Sequence, residues 1–189
     1  MITFLIASSD KELAIVMKNV RKWAIGSKMK IYGSFFHSNN VPDKVVKRCL
    51  DLTSRRDIVA TTIIVDKNDS IIQKIKENSH EFYNYLVGEL LKTCQQQGVL
   101  SSQEKHLFVA SRRETNKNLN NDFVNYLKNK ELPFFNGKIE YMISSPNQFK
   151  GLEVVDAITF SIHQKYEYNI LDLYSVIQNK IIIEKKIFE

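Results

Sequence analysis

The sequence predicts a mixed α/β fold, and three observations carry that prediction. Four apolar runs of strand length, Ile2–Ala7, Ile58–Val65, Lys105–Ala110 and Gly137–Ser144, alternate with longer segments whose apolar residues recur at the helical period. Only 6 Gly and 3 Pro punctuate the 189 residues, which favours long regular elements. The composition, 43% hydrophobic and 25% charged, is that of an ordinary globular chain, and 22.0 kDa suits a single domain, 1–189, with a real core. Strands and helices in alternation give an α/β layout around a mixed sheet.

The elements follow in order. Ile2–Ala7 reads as a buried strand and stops at Ser8-Ser9-Asp10, where Ser9 and Glu12 have the spacing of a capping box. Leu13, Val16, Val20 and Trp23 mark one face of a helix ending near Gly26. Lys28–Phe36 reads as a short strand or a loop. Pro42 opens a second helix carrying Val45, Val46, Cys49 and Leu52, closed by Arg55-Arg56. Ile58–Val65 is β-branched almost throughout and is expected to be central and covered on both faces. A long helix follows, from a cap at Asn68–Asp69 to about Gln97, with Leu86, Leu90, Leu91 and Cys94 in its stripe and Gly98 as its stop. Lys105–Ala110 is another strand. Phe123 and Leu127 give the next helix its apolar face, and Pro133 is expected to break it. Gly137–Ser144 alternates Ile139, Tyr141 and Ile143 with polar neighbours and reads as an edge strand. Asn169 and Asp172 are expected to cap a last helix through Leu173, Tyr174, Ile177 and Ile181, with the tail either prolonging it or lying along a neighbouring subunit.

The stretch that points to chemistry is Ser144–Lys165. A polar loop gives way at Gly151 to an apolar helix of about four turns that holds Glu153 and Asp156, three residues apart and therefore on one face. A carboxylate among apolar neighbours needs a metal, a base or a backbone group as partner; the plain alternative puts Asp156 at a solvent border.

Gly-Leu-Glu-x-x-Asp-Ala-Ile at 151–158 resembles the C-terminal signature of the DUF3800 family, in which a Gln stands where Glu153 is and an Ala where Val155 is. The resemblance spans most of the chain and is strongest at Ile58–Lys67 and Lys150–Ile158. It implies a ribonuclease H-like α/β fold, a mixed sheet with helices on both faces, and acids suited to divalent metal. It also implies that Asp156 matches the last of those acids. Family members have an earlier strand with an Asp-Glu-Ser-Gly motif, and nothing here matches it. Ile2–Asp10 instead resembles the family's second strand, so the N-terminal strand is missing or replaced. Phe35-Phe36-His37 resembles a Glu-Phe-His segment with Phe35 at the acid position. The third acid falls at Ala110 or Ser111.

Hydrolysis on two metals needs three or four carboxylates to hold the cations and offset phosphate repulsion. With Asp156 the one remaining matched acid and Glu153 beside it, the expectation is a catalytically degenerate protein, a nucleic-acid-associated or assembly subunit with no cofactor. One rival is an active Mg2+- or Mn2+-dependent nuclease built from Asp156, Glu153 and Glu114, with His37 or Lys67 assisting; metal would then sit between Asp156 and Glu153. Another is a purely structural interaction subunit. His37 beside two aromatics is otherwise a packing residue, and Lys67 a solvated strand end.

Lys plus Arg number 27 against 21 Asp plus Glu, a formal charge of +6 that permits nucleic-acid binding. Lys105, Arg112, Arg113, Lys117 and Lys150 are the candidate phosphate contacts to DNA or RNA, against the plain reading of solvated loops. Cys49 and Cys94 lack metal-type spacing and are expected as free thiols. No leader-like start and no run of membrane-spanning length occur, which makes a cytoplasmic protein with no membrane partner the expectation. No P-loop, dinucleotide fingerprint, nucleophile elbow or zinc motif is present. Loss of a central strand would leave buried backbone groups unpaired. The gap is therefore closed by direct pairing of Ile2–Ala7 with Ile58–Val65 or Lys105–Ala110, filled by Ile181–Phe188, or covered by another chain. A homo-oligomer, most simply a dimer, is expected.

Overall fold

The computed structural model describes residues 1–29, 31, 36–66, 79–112, 117–135 and 138–187, with only the backbone at 79, 117 and 130–134. Five strands and six α-helices lie among the described residues, in a mixed α/β arrangement. The strands are β1 (Ile2–Ala7), β2 (Ile58–Val65), β3 (His106–Ser111), β4 (Ile139–Ser144) and β5 (Ile181–Ile187). The helices are α1 (Asp10–Gly26), α2 (Asp43–Ser54), α3 (Ser79–Gln96), α4 (Lys117–Phe135), α5 (Gly151–Tyr168) and the single turn α6 (Tyr174–Ile177). A short 3-10 turn, Ser38–Asn40, precedes α2.

The strands form two sheets instead of one. A mixed three-stranded sheet runs β1-β2-β5, and β3 pairs with β4 in a two-stranded parallel sheet, His106 opposite Ile139 through Ser111 opposite Ser144. β2 is central as expected, with Ala60, Thr61, Thr62 and Ile63 all buried, so both its faces are covered there. β1 pairs directly with β2, and Thr62 Oγ1 donates to the Ile2 carbonyl at 2.9 Å. The flank of β2 not taken by β1 is occupied by the C-terminal segment. That segment is a strand, not a prolongation of a helix: α6 lasts one turn, a 3-10 turn covers Gln178–Lys180, and Ile181-Ile182-Ile183 starts β5. Three consecutive β-branched residues favour the extended chain.

The chain divides into two compact units. One comprises Met1, Thr3–Thr61 and Ser145–Ile182; the other comprises Ile2, Thr62–Ser144 and Ile183–Glu189. In the first, α1, α2, α5 and α6 pack on one another. Leu13, Val16, Met17, Val20 and Ala24 of α1, spaced three and four apart, meet Val45, Val46, Cys49 and Leu50 of α2 and Ala157, Ile158 and Ile162 of α5 in a buried core. Gly151 has a steric reason to be glycine: a Cβ there would stand 3.1 Å from Leu13 Cδ1 and 3.2 Å from the Phe149 ring. In the second, α3 packs on α4 and α4 on β4. Gly98, at φ 69°, follows the end of α3 in the left-handed region that favours glycine.

Several local expectations need correction. Ser9 does cap α1, its Oγ accepting from the Lys11 N–H at 3.2 Å, but the capping box is not closed, because the Glu12 carboxylate takes Arg56 Nη1 at 2.7 Å. Pro133 does not break the chain; α4 continues to Phe135. Asn169 does not start a helix. It is the left-handed C-cap of α5, φ 55° and ψ 32°, its N–H donating to the Gln164 carbonyl. Asn tolerates that conformation nearly as well as Gly.

Candidate functional site

The residues singled out in Ser144–Lys165 lie in the first unit, on the first two turns of α5. Glu153 is 1% exposed. Its carboxylate is bidentate to Arg21 of α1, both oxygens accepting from Nη2 at 2.9 and 2.8 Å, and Oε1 also accepts from Lys150 Nζ at 2.9 Å. Lys150 gives a second bond to the Pro146 carbonyl at 3.1 Å, closing the loop before α5 onto the helix start. One buried carboxylate thus faces two cations.

Asp156, one helical turn on, is half-exposed and has a different partner. Its Oδ2 accepts from the Ser38 backbone N–H at 2.8 Å, so it fastens the 3-10 turn to α5. His37 Nδ1 stands 3.9 Å from the same oxygen and accepts from the Asn39 N–H at 3.4 Å. Nδ1 acts there as an acceptor, and 3.9 Å is too long for a hydrogen bond to Asp156. The Ser38 hydroxyl beside them is buried with no hydrogen-bond partner among the described residues. Cys49 lies under this cluster, its Sγ 3.7 Å from Met17 Sδ. Burial pushes its thiol up to about 12; Thr53 acts in the opposite sense, and the Glu153 and Asp156 carboxylates add to the rise. The thiol is therefore protonated and not a nucleophile at neutral pH.

Glu153 and Asp156 are thus brought together on one helix, with His37 beside the second, but each carboxylate is engaged by protein groups. Glu153 is neutralised, and Asp156 Oδ2 is taken by a backbone N–H. Among the described residues no group of three or more His, Cys, Asp or Glu side chains stands close enough to hold a metal ion. The described donor set does not fit a two-metal centre.

The other residues fall elsewhere. Phe35, Lys67, Arg113 and Glu114 lie outside the described residues, and so does the side chain of Lys117, whose backbone opens α4. Arg112 is exposed just beyond β3, its N–H donating to the Ser144 carbonyl at 2.8 Å. Lys105 is exposed just before the same strand, so the two cations sit at opposite ends of β3 and do not line one border. Lys150, read as a phosphate contact, is held by Glu153 and Pro146. Arg21 and Ser38 went unnoticed in the sequence. Arg21 sits 132 positions from Glu153, and no local spacing announces such a pair.

No family model, no curated protein and no solved structure matches the chain. No helix among the described residues is long and apolar enough to cross a membrane.

Proposed function

We propose that this chain is a non-hydrolytic relative of the ribonuclease H-like DUF3800 proteins, acting as a nucleic-acid-associated subunit. The observation that carries the reading is Glu153. The acid nearest the matched Asp156 is enclosed by Arg21 and Lys150, and two fixed cations where a divalent ion would enter raise the cost of placing another positive charge there. The net charge of +6 and the exposed Arg112 support contact with phosphates.

The test pairs cleavage with binding. Single- and double-stranded DNA and RNA incubated with Mg2+ or Mn2+ remain intact, while fluorescence anisotropy shows binding that weakens steeply with salt. Metal-dependent cleavage abolished by Asp156→Ala overturns the non-hydrolytic reading. Absence of binding at low salt overturns the nucleic-acid reading.

A second reading, an assembly subunit, has its own observation. Leu107 and Met142 are 49% and 40% exposed on the same face of the β3–β4 pair, where Val109 lies opposite Met142. Parallel strands are normally covered on both faces, and a second copy of the chain would supply that cover.

A further inference from the structure

We propose that a cleft in the second unit, between the first turns of α3 and of α4, takes a single unstacked nucleobase that carries an exocyclic amino group. The inference rests on the nucleic-acid reading above but uses none of the residues of the α5 cluster.

The cleft measures about 470 Å3, within the range of small-molecule sites. Its position is set by topology. Ser111, the last residue of β3, and Ile143 of β4 line it, so it opens at the carboxyl ends of two parallel strands, where open α/β sheets take ligands. Helical spacing builds its walls: Tyr83 and Asn84 stand three and four residues after His80 on α3, while Asn120, Phe123 and Tyr126 recur every three residues on α4.

The lining selects the ligand by charge and shape. Glu81 and Asp122 contribute carboxylates to the described lining, and their charge disfavours a phosphate there. Arg112, exposed and next in sequence to Ser111, is placed to hold a phosphate outside it. A neutral planar ring meets no such repulsion. Phe123, 7% exposed, lines the cleft; its ring centroid lies 5.6 Å from that of Tyr83 at 38° and 6.5 Å from that of Phe108. Tyr83 and Tyr126 offer ring surface to a base. Burial, with Glu89 and Tyr85 nearby, holds the Tyr126 hydroxyl above its ordinary value of 10.0, so it keeps its proton at neutral pH.

Asn84 adds an amide donor and acceptor for a base edge, and the Asp122 carboxylate accepts only. Adenine, cytosine and guanine present exocyclic amino donors to such an acceptor, whereas uracil and thymine present only a ring N–H flanked on both sides by carbonyl oxygens, which a carboxylate repels. The cleft therefore distinguishes amino-bearing bases from the others.

The experiment uses the full chain. Anisotropy with labelled single-stranded oligoadenylate, oligocytidylate and oligouridylate is run at one low salt concentration, beside ligand-observed NMR with adenosine, cytidine, uridine and tetramethylammonium. The expected result is at least tenfold tighter binding of the adenine and cytosine ligands than of the uracil ones. Asp122→Asn, at an exposed position, is expected to reduce that preference below threefold, and Tyr83→Ala to weaken all base binding tenfold, with far-UV circular dichroism verifying both folds. Oligomers bound equally well whatever the base, and unmoved by either variant, overturn the cleft assignment and leave the nucleic-acid reading standing. No binding of oligomer or nucleoside overturns both. Binding of tetramethylammonium but not of nucleosides makes the cleft a site for organic cations and overturns the assignment.

Discussion

Arg21, Lys150 and Glu153 form a triad whose members cannot be removed singly without cost. A carboxylate left buried without its bidentate partner is strongly destabilised, whereas replacing a whole buried ion pair by apolar groups of similar volume is close to neutral. Arg21→Ala is therefore expected to lower the unfolding free energy by about 3 kcal/mol, the lower end of the range because Lys150 remains, as read by urea denaturation. Arg21→Met combined with Glu153→Leu is expected to cost clearly less than the sum of its single variants. Cys49 gives a pH signature. Its folded thiol lies above its ordinary value of 9.0, at about 12, so its contribution to stability is complete below pH 9 and disappears as pH rises from about 9 toward 12. Alkaline unfolding curves of the wild type and Cys49→Ala are expected to converge over that interval, and the native thiol is expected to react with a disulfide reagent at pH 8 only as fast as the chain opens. The sequence announced Glu153 and Asp156 through their place in an apolar helix. It could not announce Arg21, because an ion pair across 132 positions leaves no periodic trace.

At the scale of elements, α5 is a helix held at both ends by groups outside its own ladder. Near its start, Asp156 holds the Ser38–Asn40 turn through one backbone N–H. Asp156→Asn keeps an acceptor oxygen, whereas Asp156→Ala leaves the amide without its partner. The Ser38 amide is therefore expected to exchange with solvent faster by tenfold or more in Asp156→Ala, and within about threefold of wild type in Asp156→Asn, measured by NMR hydrogen exchange. At its far end, Asn169 turns the chain in the left-handed region. Asn169→Ala is expected to destabilise by about 1 kcal/mol and Asn169→Gly to be neutral or better, by thermal denaturation. Helix existence was legible here from the apolar period alone, and β2 from its β-branched run. The role of Asn169 was not, because Asn serves equally at a helix start and at a left-handed stop, and only the backbone angle distinguishes them.

For the whole molecule, four of the five described strands could be read one by one, β5 being expected as the end of a helix, and their partners could be read only as alternatives. A run such as Ile58–Val65 states that it is buried on both faces; it does not state which strands flank it, since one partner lies 51 positions before it, from Ala7 to Ile58, and the other 116 after it, from Val65 to Ile181. The distribution of the five described strands over two sheets was hidden for that reason. The exposed pair Leu107 and Met142 leads to an expectation about assembly: light scattering coupled to size exclusion should give twice the 22.0 kDa chain mass, and Met142→Lys should return it to the single value with secondary structure intact. A chain-mass particle at high concentration would refute this.

The place of β5 bears on how the protein is made. β2 is synthesised early, yet one of its two flanks is occupied by the last described strand, 116 residues later, counting from Val65 to Ile181. At typical elongation speeds the ribosome needs roughly 6–23 s to cover that distance. Throughout that interval the nascent chain carries an apolar, β-branched strand with one side of its backbone unoccupied, a ready template for a neighbour on the same message. Translation speed between β2 and β5, and the chaperones that attend it, thus bear on the yield of folded protein as directly as the stability of the finished fold.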